Sequence, residues 1–287
     1  MRFLSQSTTI LYFLLAGVIQ ATCFKHLNAQ PLLYSVLAQQ TTALSYGGDS
    51  GHPFSVAINP ASVARIRAPR WAFGGEQRFL APGWTEMAAA LLLPSNHGAW
   101  GIFWGQEGLP LAVEQALKVT YAKAVSVNGS VGVTIGINRK KFGSFLAKTY
   151  PSAAAGFSCM VSHELQAAIS FDHFSRRLTK YPAEKDLSVL RCLLAYTPTQ
   201  KIALVSVICK QRGHAATRSF SLCYTPGSKT GIRVGFSGSP SLCWLGFMLG
   251  IGKKVVVQLH SGFYSLTGVS NGMSVYQTSP EKNNDLP

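Results

Sequence analysis

Along most of this chain the hydropathy changes sign at every residue. In "NGSVGVTIGINR" Val131, Val133, Ile135 and Ile137 fall on one side, and Ser130, Gly132, Thr134, Gly136 and Asn138 on the other. A period of two is that of an extended strand. "TGIRVGFSG" and "KVVVQLHSGF" repeat it, and "EQALKVTYAK" sets Leu117, Val119 and Tyr121 against Glu114, Lys118 and Thr120. Fourteen segments read this way: 70–80, 84–94, 99–106, 114–124, 128–139, 152–162, 165–174, 187–197, 201–211, 217–225, 230–238, 242–252, 254–264 and 271–278. Most are near the roughly 9–11 residues of a tilted membrane strand. A soluble sandwich would carry Lys and Glu on its polar face. Here that face is mostly Gly, Ser and Thr with single charges, which suits a crowded or wetted lumen with lipid outside.

The connections divide into two classes. After even-numbered segments they are tight, at 95–98, 126–128, 163–164, 197–200, 226–229 and 252–254. After odd-numbered ones most are longer, at 107–113, 140–151 and 175–186, with the short turn at 81–83 as an exception. Short periplasmic turns and longer outer loops mark a bacterial outer-membrane barrel, and an even strand count puts both ends of the barrel sequence on the periplasmic side. The expected fold is all-β, a transmembrane antiparallel barrel of about fourteen strands over 70–278, with outer-membrane lipid around it and the assembly machinery of such barrels as a partner. In the first strand, alternation sends Trp71 and Phe79 to lipid and Arg70, Glu76 and Arg78 inward. Glu114, Lys118, Asp172, Arg191, Arg233 and His260 are expected to face inward as well. These charges either line a polar path, bind an anionic headgroup, or form a self-neutralising network between a plug and the wall. The network is favoured because buried charges need partners.

Residues 30–69 show no strand-length alternation, yet "SYGGDSGHPFSVAINPASVARI" is apolar and is interrupted by Asn59-Pro60. An apolar segment that is not a strand needs burial, and the lumen of so wide a barrel offers it. This segment is expected to plug the barrel. Upstream, "ILYFLLAGVI" at 10–19 is too short to span a bilayer, follows Arg2, and precedes Ala21 and Ala29. Residues 1–29 therefore read as a secretory signal peptide cleaved after one of these alanines, and 279–287 as a C-terminal tail.

Composition sharpens the picture. Only 13% of residues are charged, against about 25% in a typical soluble domain. The formal charge is 26 − 11 = +15, but the basic residues are scattered, so no nucleic-acid footprint is read. Six cysteines, at 23, 159, 192, 209, 223 and 243, never form Cys-x-x-Cys and suggest apolar filling rather than a disulfide framework.

Taken together, "YGGDSGHPFSVAINPASVARI" followed by "GEQRFL" resembles the N-terminal region of the PorV/PorQ-type proteins of the FadL (long-chain fatty-acid transporter) superfamily. The resemblance continues in "LLLPSNHGAWGI", "VEQALKVTYAKAV" and "FMLGIGKKVVVQLHSGFYSLTGVSNGMSVY", covering about residues 40–278. It implies a fourteen-stranded barrel with the N-terminal segment inside, Asn59, Pro60 and Ala61 as the plug turn, and Gly47-Gly48 as the bend before it. Two departures stand out: "QTSPEKNNDLP" follows Tyr276 where such barrels often end on an aromatic residue, and the outer loops are short.

The implied function is transport of hydrophobic or amphipathic small molecules across the outer membrane. Transport predicts an apolar lumenal pocket beside residues 54–66 and a break in a wall strand. The alternatives are a PorV-like component of the type IX secretion system, with secretion proteins as partners, and a structural scaffold. Enzyme chemistry is not expected: "GFSGSP" at 235–240 places Ser239 where Gly-x-Ser-x-Gly needs its last glycine. The seven histidines lack metal spacing, so neither metal nor cofactor is expected.

Overall fold

The computed structural model describes residues 52–80, 83–143, 146–174, 187–227, 230–238, 241–252, 254–265 and 268–278. The signal-peptide reading, the Gly47-Gly48 bend, the loop at 175–186 and the tail at 279–287 lie outside these residues.

Fourteen antiparallel strands close into one barrel. They are β1 Arg70–Gln77, β2 Thr85–Ser95, β3 Gly98–Leu109, β4 Ala112–Ala124, β5 Gly129–Phe142, β6 Leu146–Met160, β7 Leu165–Phe174, β8 Leu187–Thr199, β9 Ile202–Gln211, β10 Thr217–Gly227, β11 Thr230–Gly238, β12 Ser241–Ile251, β13 Val255–Tyr264 and β14 Gly268–Gln277. Each strand pairs with its sequence neighbours, and β1 pairs with β14 through Phe73 and Val275, so no edge is left. Each strand falls on one of the segments picked out by alternation. The end where β1 begins and β14 finishes is called the lower end below.

Alternation settles the two faces. Val131, Val133, Ile135 and Ile137 stand outward with 40–69% of their surface exposed, while Gly132 and Thr134 between them, and Asn138 after them, are buried inside. A belt of this kind is stable only against lipid. Among the described residues no helix is long and apolar enough to cross a membrane.

Three expectations need correction. The longer connections at 107–113 and 140–151 are mostly strand: β3 and β4 are joined by Pro110 and Leu111, and β5 runs to Phe142 before β6 starts at Leu146. Ladder bonds satisfy backbone groups that a loop would leave to solvent, so the hairpins extend. Phe79 does not face lipid. The strand stops at Gln77, and Phe79 and Leu80 take left-handed backbone angles, φ +56° and +48°. This turns the Phe79 ring onto the inner wall, against Trp84 and Tyr264, each at 5.0 Å between ring centroids.

The plug comprises two short 3₁₀ turns, Pro53–Ala57 and Pro60–Val63. They sit within the lower half of the barrel, packed on β1 to β6. Phe54, Val56, Val63, Ala64 and Ile66 bury their side chains against a wall of small residues, including Ala72, Ala88, Ala90, Ala99 and Ala122. The inner wall is therefore narrow-sided where the plug is bulky, as close packing requires.

Candidate functional site: the plug and the inner wall

The plug turn is pinned by neutral groups. Asn59 is 2% exposed; its Oδ1 accepts from Ala61 N at 3.0 Å, capping the second turn, and its Nδ2 donates to Phe157 O on β6 at 3.3 Å. Ser170 Oγ on β7 donates to Ile58 O at 2.9 Å. The wall makes room by lacking side chains. A Cβ on Gly132 would lie 2.7 Å from Ala61 N, and one on Gly156 would run into Asn59 Oδ1 and lie 2.9 Å from Pro60 Cδ. Both notches require glycine because of this close approach.

At the lower rim His52 opens the first turn. Its Nδ1 accepts from Phe54 N at 3.2 Å, and its ring lies edge-on to Tyr276 with centroids 4.3 Å apart. Complete burial, with Arg233 and Arg70 adding to it, holds the His52 imidazole well below its ordinary value. A neutral ring also agrees with Nδ1 acting as an acceptor.

The charges singled out in the sequence lie in separate groups. Arg70 is buried at the start of β1. Arg233 donates to Gln258 Oε1 at 3.1 Å and approaches Cys223 Sγ at 3.4 Å. Arg191 pairs with Asp172, and Lys118 lies within electrostatic reach of both. Glu76 and His260, both fully enclosed, approach to 3.7 Å.

The remaining charges meet in a row that alternation alone did not reveal. Successive ladders align His260, Gly272, Glu76, Glu86, Glu107, Glu114 and Lys140 across β13, β14 and β1 to β5. Four glutamates thus stand on four adjacent strands of the inner wall. Like charges placed directly opposite repel. Arg78, only 2% exposed, reaches Glu86 at 3.1 Å and Glu107 at 3.6 Å; Glu114 accepts from Tyr150 Oη at 2.5 Å and meets Lys140 at 3.6 Å. Each of these pairs joins wall to wall, so the row braces the barrel, while the plug turn is seated by neutral contacts and Arg65 behind it donates to Ser126 O at 3.1 Å. Glu86, Glu107, Tyr150 and Lys140 escaped the sequence reading. Glu86 precedes an apolar run that blurs the period of two, and Glu107 fell in an expected loop. Pairing the hairpins residue by residue would have found both.

Above the plug and beside the row, Phe79, Leu242, Trp244 and Tyr264 pack into a buried apolar cluster on the inner side of the wall. A cavity of about 10 Å³ lies beside the plug between Ile58, Ala168, Leu193 and Val207. Among the described residues the wall ladder shifts register by a bulge at two places at its lower end, between Tyr196 and Thr199 where β8 meets β9 and between Tyr224 and Gly227 where β10 meets β11. Among the described residues no cluster of His, Cys, Asp and Glu is placed to hold a metal ion.

A closed fourteen-strand antiparallel barrel with an outward apolar belt and a plug folded inside its wall defines the class as a plugged transmembrane β-barrel fold. Solved structures share it. The chain matches the toluene transporter TbuX of Ralstonia pickettii at 11% identity and TM-score 0.59, covering 83% of this chain and 97% of that one. It matches a FadL homologue of Pseudomonas aeruginosa at 12% identity and TM-score 0.56, covering 84% and 98%, and the toluene transporter TodX of Pseudomonas putida at 8% and 0.56, covering 83% and 96%. These likenesses establish the fold. No family model and no curated protein matches the sequence, so kinship with PorV/PorQ-type proteins rests on the quoted motifs alone.

Proposed function

We propose that this chain is an outer-membrane channel for small hydrophobic or amphipathic molecules, with its lower end facing the periplasm. The observation that carries this reading is the closed fourteen-strand barrel with an apolar plug seated in its lower half. The interior of a water-filled porin is polar, whereas this lumen is filled in part by apolar side chains, including the packed rings of Phe79, Trp244 and Tyr264 above the plug, surroundings that favour molecules leaving water readily. The two bulges in the wall ladder support the same reading, as do the names of the structurally similar transporters.

The test is uptake of radiolabelled toluene, at concentrations too low to permeabilise lipid, by a bacterial host depleted of its own porins. Cells making the protein should take up toluene faster than cells without it, and Trp244→Ala should slow that uptake while the barrel keeps its heat-modifiable gel mobility. Uptake equal to the control would refute the reading. Recovery of secretion proteins with the purified barrel in that case would point to the type IX secretion role instead.

A further inference from the structure

The two ladder bulges share a sequence. Thr197-Pro198 causes the first and Thr225-Pro226 the second. Proline has no N–H to give a ladder, and a bulge leaves an unpaired residue that bends its strand. The same device therefore sits on the strands either side of β9, at the same end of the barrel. Between them lies a cavity of about 260 Å³, bordered by His163, Thr197, Thr199, Ala203, Cys223 and Thr225. Its floor is set by the inward, buried residues Ala203 and Cys223, and its rim by threonine hydroxyls and the lower turns. The plug is bedded on the neighbouring sector, β1 to β7, by packing and by the bonds to Phe157 and Ser170.

We infer that this cavity is the release site on the periplasmic side. A small uncharged molecule, a single ring or a short chain, leaves the lumen between the two Thr-Pro bulges while the plug stays seated. The size fits: drug-sized ligands occupy pockets of about 300 Å³ or more, and this cavity is somewhat smaller, matching a single ring or a short chain. The lining is mixed: threonine hydroxyls, Gln200 and Lys201 stand at the rim over the small floor of Ala203 and Cys223, so the ring or chain would rest on the floor and leave past the polar rim. This inference rests on the transport reading and adds a route and a size class to it.

The experiment uses the full-length protein in the toluene-uptake assay, with two kinds of variant. Ala203→Trp and, separately, Cys223→Phe fill the cavity. A disulfide between Ile58→Cys and Ser170→Cys, confirmed by mass spectrometry, ties the plug to the wall where they already meet. Filling the cavity should reduce uptake to the level of cells without the protein, with heat-modifiable mobility retained, and the tether should leave uptake unchanged. Normal uptake by both folded cavity-filled variants would overturn the release site while leaving transport standing. Loss of uptake on tethering, restored by reductant, would overturn it too, because the plug would then have to move. Wild-type uptake no faster than the control would remove the transport reading itself, and this inference with it.

Discussion

Replacing Arg78 with Met tests the logic of the glutamate row. The guanidinium is 2% exposed and lies between Glu86, 15% exposed, and Glu107, 22% exposed. Met keeps most of the apolar stem, so packing changes little, but two partly buried carboxylates lose their shared cation while Glu76 and Glu114 still flank them in the row. Removing one partner of a buried pair typically costs about 3–5 kcal/mol, because the charge left behind remains desolvated. The expected loss is therefore about 3 kcal/mol or more, read as a lower urea midpoint for the refolded barrel in detergent micelles. The cost is electrostatic, so it should shrink when Glu86→Gln and Glu107→Gln are combined with Arg78→Met. A loss that survives the triple substitution would show that Arg78 acts by packing and that the account of the row is wrong.

Other expectations follow from the plug and the belt. Asn59→Ala removes a cap and a tether to Phe157, and should cost about 1–2 kcal/mol, seen as faster amide exchange at Ala61. Gly156→Val forces a side chain into Asn59 and Pro60, so planar-bilayer recordings should show a higher single-channel conductance as the plug turn is expelled. The folded value of His52 lies below its ordinary 6.5. The unfolded segment therefore binds the proton more readily, and seating of the plug should weaken as the pH falls below about 6.5. Limited proteolysis at pH 5.5 and 7.5 reads this, and His52→Phe should abolish the difference. Ile135→Lys places a charge in the middle of the outward belt, where Ile135 is 69% exposed, and should cost about 2–4 kcal/mol in lipid vesicles.

The strand content was legible because lipid on one side and a packed lumen on the other impose a strict period of two, as in Val131 to Ile137. The plug was legible from a contrary sign, an apolar segment around Asn59-Pro60 without that period. What alternation does not carry is which residues lie side by side on different strands. Glu76 and Glu114 could be assigned inward singly, but their alignment with Glu86 and Glu107 depends on hairpin register, set by turns such as Arg78–Leu80 whose left-handed angles on Phe and Leu give no sequence signal. Loop lengths failed for a related reason: nothing local stops a ladder at Gln106 when Glu107 to Leu109 can also pair across to β4.

The glutamate row has a consequence for assembly. It begins at β1, the strand that completes the cylinder against β14, and continues through the next three strands. A strand inserted one residue out of step would present its carboxylate to hydrocarbon, and a slip of two would pull it away from Arg78. Misaligned closures are thus penalised at the seam itself, so the row helps select the one alignment in which the cylinder can shut.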